Sequence, residues 1–451
     1  MKRRNFIKST GMVAVGATLS QSILASDIIF KNQVRLGFIG VGARGSGTLQ
    51  LALQRNDIVV TAIADIDSGA ASRAAEIVKN KTGKQPALYI KGSYDYQNLL
   101  NSSDVDAVFI CTPWEWHTEM SVDALKAGKA TACEVAGASS LEECWQLVRA
   151  QEETGTPFMI MENVCYRRDV MAVLHMSRLG LFGELIHLQG GYQHDLREVK
   201  FNDGKRYYGG GVEFGDKGYS EARWRTNHSV FRNGDLYPTH GIGPIGSLIN
   251  NNRGNRFLYL TSVASKSRGL HDYIINHPGG GKDHPNASIQ FKLGDVVTTS
   301  IVTNNDETII LSHDTNLPRP YSLGFRVQGT KGIWMDVNKS IYLDGKSPAH
   351  QWEQAEKYLN EYDHPLWKRY ASEASGAGHG GMDFFVMNAF IEAYKNSHVM
   401  PLDAYDHASW AAITCLSEQS IAEAGAPQHF PDFTSGKWIN RKPIFALGDQ
   451  Y

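Results

Sequence analysis

Two hydrophobic rhythms divide the chain. In its first third, short unbroken apolar runs alternate with segments of helical period. The runs are Val34–Ile39, Ile58–Ala64, Val105–Cys111, Ala130–Glu134 and Pro157–Asn163. Apolar positions three and four apart predict helices between them at Thr48–Leu53, Gly69–Lys81, Met120–Ala127 and Leu141–Thr154. An unbroken apolar run is a strand buried on both faces, and strand–helix alternation predicts a doubly wound parallel sheet. Near Tyr166 the rhythm changes to period two. Strands are predicted at Leu185–Tyr192, Leu258–Val263, Ala287–Leu293, Val296–Thr303, Thr308–Ser312, Gly324–Gly329 and Gly332–Val337. They predict one open, mostly antiparallel sheet with a face free for substrate or for a second subunit. Two helices, Met382–Lys395 and Ala404–Ala424, close the chain. The expected class is α/β, with the first domain over 31–160 and a second α/β domain over 161–451.

The first two runs frame the most informative stretch. Gly40, Gly42 and Gly45 form a G-x-G-x-x-G directly after the first strand, and Asp65 closes the second. The first glycine permits a tight turn, the second lets a pyrophosphate approach the backbone, and the third lets helix pack on strand. The following helix presents its positive dipole end to the phosphates. An acid at Asp65 suits a ribose 2′-hydroxyl, which favours NAD over NADP. Arg44 pulls the other way, because a guanidinium inside the loop can greet a phosphate. Strand, motif, helix, strand and acid in this order predict a Rossmann dinucleotide site. The competing reading is a glycine-rich turn in some other βαβ unit.

Composition narrows the classes further. The chain has 451 residues, 45 basic and 47 acidic. That balance gives no nucleic-acid footprint. The opening Met1-Lys2-Arg3-Arg4-Asn5-Phe6-Ile7-Lys8 matches a twin-arginine signal, followed by a weakly apolar run from Gly11 to Leu24. Residues 1–30 are therefore expected to be a leader for the twin-arginine export machinery, and the mature protein periplasmic or secreted. No later stretch predicts a membrane anchor. The five cysteines, Cys111, Cys133, Cys144, Cys165 and Cys415, lack zinc spacing and are odd in number. They predict free thiols, with no metal site and no disulfide framework.

The order of signals resembles the glucose-fructose oxidoreductase / inositol dehydrogenase superfamily, a Rossmann domain followed by an α/β domain with an open sheet. Thr112-Pro113, His117 and Glu134 carry the likeness beside the glycine motif. One position departs. Dehydrogenases of that superfamily place Glu-Lys-Pro at the strand end, whereas this chain has Glu134-Val135-Ala136. Without the lysine, simple alcohol oxidation loses its usual acid/base. Further motifs resemble family 109 of the glycoside hydrolases, NAD-dependent N-acetylgalactosaminidases: Trp114-Glu115-Trp116-His117, Glu162-Asn163, Trp224-Arg225, Tyr237-Pro238-Thr239-His240-Gly241 and Gly378-His379-Gly380-Gly381-Met382-Asp383. The resemblance implies that Ala43, Arg44, Asp65, Trp114, Glu115, Trp116, His117, Glu134, Val135 and Asn163 touch NAD beside Gly40, Gly42 and Gly45. It implies that Tyr192, Arg225, Tyr237, Pro238, Thr239, His240 and Tyr321 line the sugar site. The polar, glycine-rich excursion Lys200–Asp216 is longer than that family's usual pattern.

An ordinary glycosidase needs two carboxylates flanking the bond. The resemblance implies another route. Hydride leaves C3 of an N-acetylgalactosaminide, a base takes the acidified C2 proton, the glycosidic oxygen leaves, water adds at C1, and the hydride returns, so that NAD is regenerated each turnover. Histidine and tyrosine can serve as its acids and bases when neighbours tune them. His240, Tyr237 and Tyr192 are the candidates, with Tyr192 at the C2 proton and Glu162 as a proton relay. His187, His194 and His228 read as structural or exposed. Two other classes remain open: a periplasmic NAD(P)-dependent sugar oxidoreductase and a non-catalytic sugar or nucleotide sensor. Self-association through the open sheet is also expected.

Overall fold

The computed structural model describes residues 33–451; the proposed leader lies outside them. Six parallel strands form the first sheet: β1 Val34–Ile39, β2 Ile58–Ala64, β3 Ala87–Tyr89, β4 Ala107–Ile110, β5 Ala130–Cys133 and β6 Phe158–Ile160. Their order, β3-β2-β1-β4-β5-β6, reverses between β1 and β4 and so opens a crevice at the strand ends, where α/β sheets bind ligands. The predicted helices are present as α1 Ala43–Ala52, α2 Ser68–Thr82, α3 Trp114–Lys126 and α4 Leu141–Thr154. Side chains start two of them: Asp67 caps α2 through Gly69 and Ala70, and Ser140 caps α4 through Glu143.

The second sheet has nine strands: β7 Leu185–Gln193, β8 Phe257–Ala264, β9 Val296–Thr303, β10 Thr308–Asp314, β11 Arg326–Gly329, β12 Gly332–Met335, β13 Ser340–Leu343, β14 Glu353–Gln354 and β15 Gln428–His429. Its pairings are antiparallel apart from β7 with β10. One predicted strand is corrected. Residues 287–293 join no strand ladder; Ala287, Ile289 and Phe291 instead pack on Phe201, Ile274 and Phe214 in a small second core. Their alternation reflects burial of every other side chain without a ladder.

Three later helices matter for the site: α5 Thr239–Leu248, α6 Met382–Lys395 and α7 Ala404–Ala422. α6 packs on the first sheet, and α7 lies against both, its Ser420 hydroxyl accepting from the Ser262 amide of β8 at 2.8 Å. Phe390 meets Phe109 edge-on at 5.3 Å, and His407 meets Phe158 likewise at 5.3 Å. The Ile160 amide donates to the Leu402 carbonyl at 3.1 Å, so the chain before α7 extends the edge at β6. A capping box of Asp403 and Asp406 starts α7, and Arg253 pairs with both carboxylates. Among the described residues no helix is long and apolar enough to cross a membrane, and the cysteines are free.

Candidate active site

A cleft of about 650 Å³ runs along the crevice of the first sheet and onto β7. Its floor is the glycine turn. Gly40 sits at φ +84°, and a side chain there would meet the Cys111 carbonyl oxygen at 2.8 Å. A side chain at Gly45 would strike the Gly40 carbonyl at 2.0 Å, so this glycine serves α1–β1 packing and does not line the cleft. A Cβ at Gly42 would meet nothing within 4 Å, because that backbone faces the open cleft. Gly42 and Ala43 at the start of α1 therefore offer a cradle that a pyrophosphate fits. Asp65 stands just past β2, its carboxylate accepting from the Val41 amide at 2.7 Å and the Asp67 amide at 2.8 Å. Burial raises its pKa despite these bonds.

Arg44 is not left for a phosphate. Its guanidinium donates to Glu134 at 2.7 Å and to both oxygens of Asp383 at 2.7 and 3.0 Å. Asp383 also accepts from Asn163 at 2.7 Å and lies 2.8 Å from His379. Burial works to raise the Asp383 carboxyl, but the bonds and charges of His379 and Arg44 prevail and hold it well below the ordinary range. Glu134 goes the other way: burial raises it, and Arg44 offsets this only in part. The Asn163 side-chain oxygen Oδ1 is buried with no hydrogen-bond partner in the protein, as expected for a group awaiting a ligand. Val135, where the superfamily's lysine would stand, gives the wall an apolar surface.

Trp114 and Trp116 line the middle of the cleft, but Glu115 and His117 do not. Glu115 faces His228 at 3.8 Å, and His117 is buried with Nε2 2.8 Å from the Thr112 carbonyl. Burial lowers His117 to about 4, so it is a neutral prop for the turn.

At the far end three rings close on one another. Tyr192 and Tyr237 are 4.6 Å apart, and His240 lies 5.1 Å from the first and 4.8 Å from the second. Arg225 is buried, paired with Glu221, and sits over Trp114 at 4.9 Å and Tyr237 at 5.2 Å. Glu162 is wholly buried behind this wall and outside the cleft lining; His240 Nδ1–H donates to its two oxygens at 2.8 and 2.9 Å. With Nδ1 so engaged, the other ring nitrogen is the one available for proton transfer.

Small residues make this approach possible. A Cβ on Gly241 would lie 2.5 Å from the Gly191 amide nitrogen of β7, and one on Gly243 would lie 2.8 Å from the Glu162 side chain. The first turn of α5 can thus press onto β7 and Glu162 at once. Tyr237 precedes α5, and the turn at Pro238 brings its ring to His240. Pro238 and Thr239 shape that turn without lining the cleft, and Tyr321 stands partly exposed at the rim, 6.3 Å from Tyr192.

Burial raises the Tyr192 phenol to about 12, against the charge of Arg225, and raises Tyr237 well above the ordinary value. His194, read from sequence as structural or exposed, lies 3.1 Å from the Tyr192 hydroxyl. Burial, then Arg225, lowers its pKa, so it is neutral and able to accept. Period-two spacing from Tyr192 placed His194 on the same strand face and was the available signal. Glu221, Tyr208 and Arg223 also line the cleft without any sequence motif to announce them.

Fold and site together define a Rossmann oxidoreductase frame whose substrate half has been rebuilt. The oxidoreductase-family NAD-binding Rossmann model matches residues 34–162, and the glycosyl hydrolase 109 C-terminal domain model matches 166–440. A glycosyl hydrolase family 109 protein of Stenotrophomonas maltophilia is 52% identical over 100% of this chain and 99% of its own. An α-N-acetylgalactosaminidase of Tannerella forsythia is 48% identical over 99% of each. Among solved structures, a levoglucosan dehydrogenase with NADH and levoglucosan superposes at TM-score 0.62 and 18% identity, covering 88% of this chain and 99% of that one. The chain belongs to glycosyl hydrolase family 109, with an NAD-binding Rossmann domain.

Proposed function

We propose that the protein is an exported glycosidase that hydrolyses α-N-acetylgalactosaminides through transient oxidation at C3. The carrying observation is that one cleft joins a dinucleotide cradle to the Tyr192–Tyr237–His240 cluster, with apolar Val135 at the position of the dehydrogenase lysine. The name of the Tannerella forsythia relative supports the substrate class. Bound NAD supplies a hydride acceptor and donor at the sugar. Asp65 takes its ribose hydroxyls, the Gly42–Ala43 backbone its pyrophosphate, and Asn163 and Glu134 the nicotinamide end. His240, held by Glu162, removes the C3 hydroxyl proton. Tyr192 serves at C2, and because burial keeps its phenol protonated it needs an exit for that proton, which His194 provides. Tyr237 protonates the departing oxygen, and Arg225 with Tyr321 orients the acetamido sugar. Export rests on the twin-arginine pattern of Met1–Lys8. Self-association rests on the second sheet, where Ile186 and Val263 stand exposed.

The test is hydrolysis of p-nitrophenyl α-N-acetylgalactosaminide in D₂O without added cofactor. The product is expected to carry deuterium at C2 and none at C3. Early product fully protonated at C2 would overturn elimination, and an oxidised sugar without nitrophenol release would make the protein a dehydrogenase.

A further inference from the structure

The cleft has a roof of which the sequence motifs announced only Trp224 and Arg225. It is formed by residues 219–225, Tyr-Ser-Glu-Ala-Arg-Trp-Arg. At the start of the segment the Tyr219 ring packs on Tyr207, centroids 5.2 Å apart. At the nicotinamide end, Arg225 rests on Trp114 and Tyr237. Ser220, Glu221, Arg223 and Trp224 line the cleft between, on the same cavity as Gly42 and Asp65. The segment is anchored from behind. Buried Asn202 accepts from the Tyr219 amide at 3.1 Å and donates to its carbonyl at 2.7 Å, while Glu221 pairs with Arg225.

Charge decides what the roof does. The cleft is lined by four carboxylates, Asp65, Glu134, Glu221 and Asp383, against three arginines, Arg44, Arg223 and Arg225. Arg44 is held by Glu134 and Asp383, and Arg225 by Glu221. Arg223 alone among these three has no hydrogen bond or ion pair with the described residues. A dinucleotide brings two phosphate charges into a cleft whose own balance is already negative. The α1 amides supply dipoles but no net charge. We infer that Arg223, carried by the 219–225 strap, closes over the pyrophosphate of bound NAD and retains it between turnovers. This rests on the NAD reading of the cleft, and it assigns to the substrate half of the chain a cofactor contact that a Rossmann fingerprint cannot contain. A hydride that returns to the sugar it left makes cofactor release unnecessary, and a charged strap suits that economy.

The experiment compares wild type with Arg223→Gln and Arg223→Lys, each purified, loaded with NADH and chased with excess NAD while cofactor fluorescence is followed. An exposed charge-assisted bond to phosphate predicts about 10-fold faster release from Arg223→Gln at low salt, a smaller gap at high salt, and intermediate release from Arg223→Lys. Melting in the absence of cofactor should match wild type, because the side chain is exposed and unpaired. Equal release rates for wild type and Arg223→Gln would overturn the strap while leaving the NAD reading intact. So would a raised KM for the glycoside with unchanged release, which would move Arg223 to the sugar. A wild-type protein that binds no NADH would overturn both.

Discussion

Replacing Glu162 with glutamine tests the core of the proposed chemistry with little change of shape. Both carboxylate oxygens lie within 2.9 Å of His240 Nδ1, and one also accepts from the Val164 amide at 3.0 Å. A glutamine oxygen in the place of Oε1 can keep both of those bonds, but its NH2 then faces His240 Nδ1–H where Oε2 now accepts at 2.9 Å, donor against donor. More important, the proton that His240 takes from the C3 hydroxyl leaves an imidazolium, and Glu162, excluded from solvent, is the charge directly behind it. A hydrogen bond to a charged group contributes about 1.5–3 kcal/mol, and a misdirected tautomer adds to the loss. Together these put the expected fall in kcat at about 10²–10³-fold, within the usual range for a positioned acid/base. Bound NAD should stay at the wild-type level and KM should move little, because Glu162 lines neither subsite. The assay is initial-rate release of p-nitrophenol, with dinucleotide counted by mass spectrometry after denaturation. The double variant Glu162→Gln/His240→Ala should be no slower than His240→Ala, since the two act as one unit. A Glu162→Gln enzyme keeping more than about a tenth of wild-type kcat would refute the pair as the proton acceptor.

Two further outcomes follow from other parts of the site. Asp65→Ala should weaken NAD by about 1–3 kcal/mol, and unchanged affinity by titration would show that this acid is not the ribose ligand. Burial pushes Asp235, two residues before Tyr237, up to about 7. A raised carboxyl contributes stability that is complete below about pH 4 and is lost as pH rises through 7. Asp235→Asn should therefore melt higher than wild type at pH 8 by about 2–4 kcal/mol of stability, with the gap closing toward pH 5, and a pH-independent gap would refute the buried-acid reading.

Five strands of the first sheet were legible because they are continuous apolar runs, which local rhythm reports directly; β3, three residues at the sheet edge and only partly buried, was missed. Asp65 and the glycines lie within one βαβ unit, so spacing alone could place them. The second half was harder. Residues 287–293 alternate as a strand does, yet Phe291 and its neighbours answer to a small core at Phe201 rather than to a ladder. Tyr237 and His240 were legible as a local motif. What no local pattern contains is partnership across distance: Glu162 beneath His240, or Arg44 gripping an aspartate on α6. Arg44 illustrates the cost. Its sequence position in the phosphate loop invited a phosphate, and only the fold reveals that Glu134 and Asp383 occupy it.

The packing of α6 and α7 on the first sheet has a consequence for how the protein is born. Helices that cover the cofactor domain arrive only with the last part of the chain, and the edge beyond β6 stays unpaired until Leu402 emerges. On a ribosome that interval is roughly tens of seconds, during which the apolar patch around Phe109 and Phe158 has no cover. His379 and Asp383, which line the cleft, arrive with α6 as well, so a chain cut before α6 is expected to expose the Phe109 patch and to bind NAD poorly.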